Sequence, residues 1–152
     1  MKNILLIYTG GTIGMIQKNN SLSPFNFDEL KSALPEIQDC GSVVSHTKLS
    51  SPIDSSNMNI KQWVELANCI KENYNKYDGF VILHGSDTMA YTASMLSFMF
   101  ENIDKSVILT GSQLPIGIKR TDAKENIITA IEIAGNSFVK EVCVYFEYQL
   151  YR

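Results

Sequence analysis

Cysteine is scarce in this 152-residue chain: Cys40, Cys69 and Cys143 lie far apart, and none belongs to a C-x-x-C pair or a Cys/His cluster. That spacing excludes a zinc centre or a dithiol redox site and leaves separate structural thiols. An odd thiol count without a secretory segment fits a reducing compartment. No apolar run approaches transmembrane length, and the first of them, Ile4 to Tyr8, ends within two residues at glycines rather than at a cleavage site. No Lys/Arg block occurs either. Thirteen basic residues stand against sixteen acidic ones, a formal net charge of -3, which is not the footprint of a nucleic-acid or anionic-membrane binder. Repeats, low-complexity tracts and linkers are also missing, so the length and a 45% hydrophobic content predict one domain with a sizeable core.

What the chain does contain is alternation. Apolar runs at Ile4 to Tyr8, Val43 to Leu49, Phe80 to Leu83, Val107 to Leu109 and Val142 to Phe146 are short, Val/Ile-rich and bounded by Gly, Ser, Asp or Lys, and they read as five strands. The run at 43 to 49 is the most polar, as an edge strand would be. Between them, Ile60, Trp63, Val64, Ala67, Ile70 and Tyr74 recur at helical steps over Ile60 to Tyr77, with Asn57 or Asn59 as cap. Residues 88 to 101 and Thr121 to Ala134 form two further helices, the latter with Ala123, Ile127, Ala130, Ile131 and Ala134 on one face. Phe27 to Leu34 is a shorter one, capped by Asn26 and stopped by Pro35. Strands alternating with helices predict a three-layer, doubly wound α/β domain of the Rossmann-like or flavodoxin-like kind, its sheet mostly parallel. The polar stretch 17 to 26, QKNNSLSPFN, reads as a mobile loop able to cover a site.

In such a fold ligands bind outside the carboxyl ends of the strands. The residues there are rich in hydroxyls: Thr9 and Thr12, then Asp54, Ser55 and Ser56, then Ser86, Asp87 and Thr88, then Thr110, Ser112 and Gln113. Four loops are thus expected to converge on one edge. Gly10, Gly11 and Gly14 around Thr12 allow a sharp turn that aims backbone N–H groups at a developing oxyanion, while the same turn also serves simply to cap a helix; spacing leaves the two even. Neither the dinucleotide fingerprint nor the phosphate loop is present. Ser86 lies in H-G-S-D rather than in a G-x-S-x-G elbow. His84 reads as a satisfied residue at the strand end, not as a base for Ser86. Asp87 is either a functional carboxylate or a helix N-cap, and Asp54-Ser55-Ser56 either an anion-holding loop or a plain turn.

Taken together, TGGTIGM, the DSS loop followed by N-M, DGFVILHGSDTMAYTAS, VILTGSQLPIG and RTDAKEN, in that order over nearly the whole chain, resemble the L-asparaginase family, specifically its bacterial type I (cytoplasmic) branch. The resemblance implies hydrolysis of L-asparagine to L-aspartate and ammonia through an acyl-enzyme on a threonine, without metal or organic cofactor, in a cytoplasmic homodimer or homotetramer. Carried onto this sequence, Thr12 matches the nucleophile. Ser55, with the Asp54 to Ser56 backbone, matches the group that binds the substrate α-carboxylate, and Asp87 the one that binds its α-ammonium. Ser86 stands where the family usually has a second catalytic threonine.

The chain departs from that pattern in four places. Ser86 keeps the hydroxyl but lacks the methyl that restricts its rotamer. Leu22 or Phe25 occupies the neighbourhood where many relatives carry a loop tyrosine. The family's catalytic lysine and its smaller C-terminal domain lie beyond the segment that ends in Leu150, Tyr151 and Arg152. Residues 1 to 152 alone are therefore expected to be inactive or nearly so. Two other functions keep the same fold: a non-catalytic asparagine-binding or partner-binding domain, and the ammonia-supplying subunit of a tRNA-dependent amidotransferase.

Overall fold

The computed structural model describes residues 1–18, 21–136 and 138–152. Six strands form one sheet: β1 (Lys2–Tyr8), β4 (Ser42–Lys48), β5 (Gly79–Leu83), β6 (Ser106–Thr110), β7 (Val142–Phe146) and β8 (Gln149–Tyr151), in the spatial order β4-β1-β5-β6-β7-β8. The first five are mutually parallel, and β8 returns antiparallel to β7. The parallel part has the flavodoxin-like order, in which the chain winds outward in both directions from the β1/β5 boundary. Polar β4 is indeed an edge strand. Beyond the five predicted strands, β8 forms because Glu147 and Tyr148, both at positive φ (48° and 62°), make a tight reversal after β7. Patterning misses so short and exposed a strand.

Alternate residues of the central strands feed two cores, which is why they read as continuous apolar runs. Ile4, Leu6, Val81, Leu83 and Ile108 pack under α1 (Phe27–Ala33) and α4 (Ala123–Gly135), against Leu30, Ile127, Ala130 and Ile131. Leu5, Ile7, Phe80, Ile82 and Leu109 pack under α2 (Ile60–Asn73) and α3 (Met89–Met99), against Leu66, Ile70, Ala93 and Leu96. Each such aliphatic side chain, fully buried, stabilises the fold by about 1.5–3 kcal/mol. Helices thus cover both faces of the sheet in three layers. All five predicted α4 core positions are buried.

Local chemistry sets the helix ends. Asn26 and Glu29 form a reciprocal capping box at α1, and Pro35 opens a 3-10 turn that ends it. Asn59, not Asn57, caps α2 by accepting from the Lys61 N–H at 3.0 Å. The expected apolar face of α2 is corrected: Leu66, Ala67 and Ile70 are buried, whereas Ile60 and Val64 are 66% and 44% exposed. Trp63, by contrast, is half-buried and donates its indole N–H to Thr92. Stretch 17 to 26 is corrected as well. It is not a plain loop; β2 (Met15–Lys18) pairs antiparallel with β3 (Ser21–Pro24), and Asn19 and Asn20 lie outside the described residues. Among the described residues no helix is long and apolar enough to cross a membrane, and no group of three His, Cys, Asp or Glu side chains forms a metal site. Cys40, Cys69 and Cys143 are free thiols, and burial pushes Cys143 up to about 11.

Candidate active site

Three adjacent strands, β4, β1 and β5, end together at the switch point of the sheet, and their loops enclose a pocket of about 210 Å³. Thr12 enters it from the β1 loop, Asp54 and Ser55 from the β4 loop, and Ser86 and Asp87 from the β5 loop, while Met15 and Pro24 of the β2–β3 hairpin close one side. Its size falls below the roughly 300–1,000 Å³ of pockets for larger ligands. A small polar molecule is the occupant that fits.

The loops approach so closely that the backbone itself must be bare. Gly10 and Gly11 have φ of +127° and +84°, which L side chains rarely adopt. A Cβ on Gly10 would collide with the Ile53 carbonyl, and one on Gly11 would lie 2.5 Å from the Cα of Gly85. Thr9 ties the same loops from below: its N–H and its Oγ1 both donate to the Leu83 carbonyl, at 3.0 and 2.9 Å, and its own carbonyl accepts from the Ile53 N–H at 2.9 Å. Buried Thr9 is a clasp, not a pocket residue.

The remaining hydroxyls divide in the same way. Thr88 donates to the Ser55 carbonyl at 2.7 Å, Thr92 contacts His84, and Thr110 donates to the Tyr145 carbonyl at 2.8 Å. Among the described residues, Thr12 and Ser86 are left out of such internal bonds and stand at the pocket. Ser55 is buried in its wall, beside Gly85, on a 3-10 turn capped by Asp54, whose carboxylate accepts from the Ser56 N–H (2.9 Å) and hydroxyl (2.8 Å). These two bonds hold the Asp54 carboxyl below its ordinary range. Ser56 spends its hydroxyl there and is exposed outside the lining.

Four expectations therefore resolve. Three loops, not four, line the pocket: Ser112 is buried with its hydroxyl on the Leu114 carbonyl, and the Gln113 N–H is held by Asp122 at 2.9 Å, one strand farther along the sheet. Asp87 is not the N-cap of α3, because Thr88 occupies that position and its side chain caps nothing; the exposed carboxylate faces the pocket instead. His84 is fully buried and both its ring nitrogens are engaged, Nδ1 with the Gly85 carbonyl (2.7 Å) and Nε2 with Thr92 (2.8 Å), so it is a satisfied residue and does not serve Ser86 as a base. Leu22 is 54% exposed and outside the lining, and Phe25 packs on the Tyr8 ring at 5.3 Å.

Tyr8 is the pocket residue that the sequence pattern hides. It closes an apolar run and so reads as core, yet its ring lies against Gly14 and lines the pocket, with the phenol reaching the Gly11 carbonyl at 3.4 Å. Burial raises it to about 12, which keeps it protonated at neutral pH. Among the described residues the lining thus offers hydroxyls, two carboxylates and a phenol, but no lysine or histidine.

Such a pocket, at the switch point of a flavodoxin-like sheet, defines an α/β domain with a small polar site at its strand ends. Residues 3–152 match the family model "Asparaginase, N-terminal", and the chain belongs to the asparaginase family. It is similar to L-asparaginase 1 of Escherichia coli strain K12, with 44% identity over 99% of this chain and 46% of that protein. The crystal structure of L-asparaginase I from Vibrio cholerae superposes with a TM-score of 0.89 at 43% identity, covering 98% of this chain and 45% of that one. A probable cytoplasmic L-asparaginase of Campylobacter jejuni gives 0.87 at 31% identity, over 99% and 47%. The chain spans about half the length of these relatives.

Proposed function

We propose that this chain supplies the nucleophile and the substrate anchors of an asparaginase. The observation that carries the reading is the convergence of Thr12, Ser55, Ser86 and Asp87 from three loops on one small pocket. Thr12 Oγ1 attacks the side-chain amide carbon of L-asparagine. The tetrahedral intermediate collapses with cleavage of the C–N bond, ammonia leaves, and water hydrolyses the resulting ester to free L-aspartate and Thr12. Asp87 pairs with the α-ammonium group, and Ser55, with the backbone of its turn, receives the α-carboxylate. Ser86 orients the attacking group. No metal or organic cofactor takes part. The enzyme acts in the cytoplasm on a small amino-acid amide, as a homodimer or homotetramer.

A threonine hydroxyl needs its proton removed, and the described lining holds no basic side chain for that purpose. The base that the family resemblance implies is a lysine, and the described lining does not supply it. Without it, turnover falls on the order of 10³ or more. Calorimetry and ammonia release on purified 1–152 test this. We expect asparagine binding, at most a trace of ammonia, and loss of that trace in Thr12→Ala with binding retained. Binding with no ammonia, even from the full-length protein, would favour an asparagine-sensing domain, and turnover that survives Thr12→Ala would refute the nucleophile assignment.

A further inference from the structure

Behind the Ser86 loop runs a buried chain of hydrogen bonds that the catalytic proposal does not use. The indole N–H of Trp63 on α2 donates to Thr92 Oγ1 on α3 at 2.8 Å; Thr92 Oγ1 lies 2.8 Å from His84 Nε2; and His84 Nδ1 lies 2.7 Å from the Gly85 carbonyl. His84 and Thr92 are both fully buried.

The donor and acceptor roles follow from the two ends. An indole nitrogen only donates, so the Thr92 oxygen accepts from Trp63 and has its one proton left for another partner. At the far end the Gly85 carbonyl only accepts, so Nδ1 must carry a proton; a bare Nδ1 would set lone pair against lone pair at 2.7 Å. With Nδ1–H fixed, a neutral ring has a bare Nε2, which takes the Thr92 proton. Burial favours that neutral ring by holding His84 below its ordinary value. Every group in the chain is then satisfied.

We propose that His84, locked as the Nδ1–H tautomer by Thr92 and Trp63, is a positioning residue that fixes the Gly85 carbonyl and so aims Ser86 and Asp87 into the pocket. The Gly85–Ser86 peptide is planar, so a bond to its carbonyl sets the direction in which the chain leaves toward Ser86. Gly85 lacks a side chain to hold this orientation, and Ser55 and Gly11 press against it from the other side. The bond from His84 is the restraint on the helix side. The helices of one layer, α2 and α3, thereby set the geometry of a loop at the sheet edge. This inference deepens the asparaginase reading and rests on it for the meaning of "aimed", although the tautomer stands apart.

Nitrogen-15 spectra of the parent 1–152 at neutral pH test the tautomer directly: Nδ1 should be the protonated nitrogen of His84 and Nε2 the bare one. The reverse assignment overturns the inference. Two variants test positioning. In His84→Asn the amide nitrogen sits where Nδ1 sits and can still donate to Gly85, whereas in His84→Gln it sits nearer the Nε2 position. We expect the Ser86 and Asp87 amide signals to stay near the parent's in His84→Asn and to move in His84→Gln, with L-asparagine bound about tenfold more weakly by the Gln variant and within about threefold of the parent by the Asn variant. A merely structural role predicts that both variants lose affinity in step with their melting temperatures, and that result, or parent-like binding by both, overturns the proposal. If the parent binds no asparagine the asparaginase reading fails, and the tautomer with the Ser86 and Asp87 signals still decides this inference. Should a variant fail to fold, the parent's spectrum remains decisive.

Discussion

Replacing Gly11 with alanine should damage this protein in a way that can be worked out from two distances. The residue has φ +84°, and a Cβ there would sit 2.5 Å from both the Cα and the N of Gly85, with the His84 carbonyl carbon at 3.0 Å. Its φ of 84° with ψ of 167° belongs to a region essentially restricted to glycine and costs an alanine on the order of 1–3 kcal/mol. The contact adds more, because the obstructing atoms are backbone and no rotamer relieves them; parting the β1 and β5 loops by roughly 1 Å costs about 1–3 kcal/mol, as overpacking does elsewhere. Gly11→Ala should therefore lose about 2–6 kcal/mol, a drop of about 5–20 °C in melting temperature for a domain of this size.

Gly41→Ala is the control. Gly41 has φ +72° but nothing within 4 Å of its would-be Cβ, so only the backbone cost of about 1–2 kcal/mol applies. Urea-unfolding midpoints of the two variants isolate the contact. Calorimetry with L-asparagine then reports on the proposed function, since moving Thr12 away from Asp87 by an ångström would separate the proposed nucleophile from the proposed ammonium anchor and, in the full-length enzyme, should cost on the order of 100-fold in turnover. Equal destabilisation of Gly11→Ala and Gly41→Ala would refute the claim that the two loops touch here.

Asp87→Asn should weaken L-asparagine binding by about tenfold or more, the scale of a hydrogen bond to a charged group, while binding of an analogue lacking the α-amino group stays unchanged; equal losses for both ligands would contradict the ammonium assignment. Ser86→Thr, measured on the full-length chain, should raise turnover a few-fold, about the gain expected from a restricted rotamer, and lower turnover would show that Ser86 is already well placed. Stability should fall on mild acidification. An unfolded imidazole protonates near 6.5, whereas burial makes folded His84 resist the proton, so the unfolded state binds more protons as pH drops. The contribution is whole above about pH 6.5 and is lost as pH falls through the lowered folded value. Urea midpoints at pH 7.5 and 5.5 measure it, and His84→Asn, which cannot protonate, should show a smaller difference between them.

The fold was legible because the central strands are buried on both faces and the helices are periodic. Ile4 to Tyr8 and Phe80 to Leu83 are short, continuous apolar runs bounded by turn residues, and the five α4 positions Ala123, Ile127, Ala130, Ile131 and Ala134 mark a stripe that the structure buries. What patterning lost depended on neighbours far along the chain. Ile60 and Val64 fit the helical period of α2 but lie where no partner covers them. The β2–β3 hairpin has strands of only four residues, MIQK and SLSP, too short and mixed for patterning to single them out. In the site, Thr12, Ser55, Ser86 and Asp87 were found as residues following strands, yet so were Thr110 and Ser112, and sequence position could not tell the two sets apart. Hydrogen bonding does: β4 and β6 flank the β1/β5 boundary alike, but Thr110 and Ser112 after β6 spend their hydroxyls on the Tyr145 and Leu114 carbonyls.

The adjacency of β4, β1 and β5 explains how the walls of the pocket are tied together. Thr9 follows β1, the middle strand of the three, and it is the one loop residue placed to bond both neighbours: Leu83 at the end of β5 through two donors, and Ile53 after β4 through its carbonyl. Leu49 extends the pairing by donating to the Tyr8 carbonyl at 3.1 Å. The three strand ends thus continue as a miniature ladder past the sheet itself, which leaves Gly10 and Gly11 to turn between fixed walls and present Thr12. On the β5 side the loop is held twice, by Thr88 on the Ser55 carbonyl and by His84 on the Gly85 carbonyl. Hydroxyls that were equivalent in the sequence therefore fall into two trades. Thr9, Thr88 and Thr92 spend their protons on backbone or imidazole to fix the frame, and this frees Thr12 and Ser86 to face a ligand with theirs.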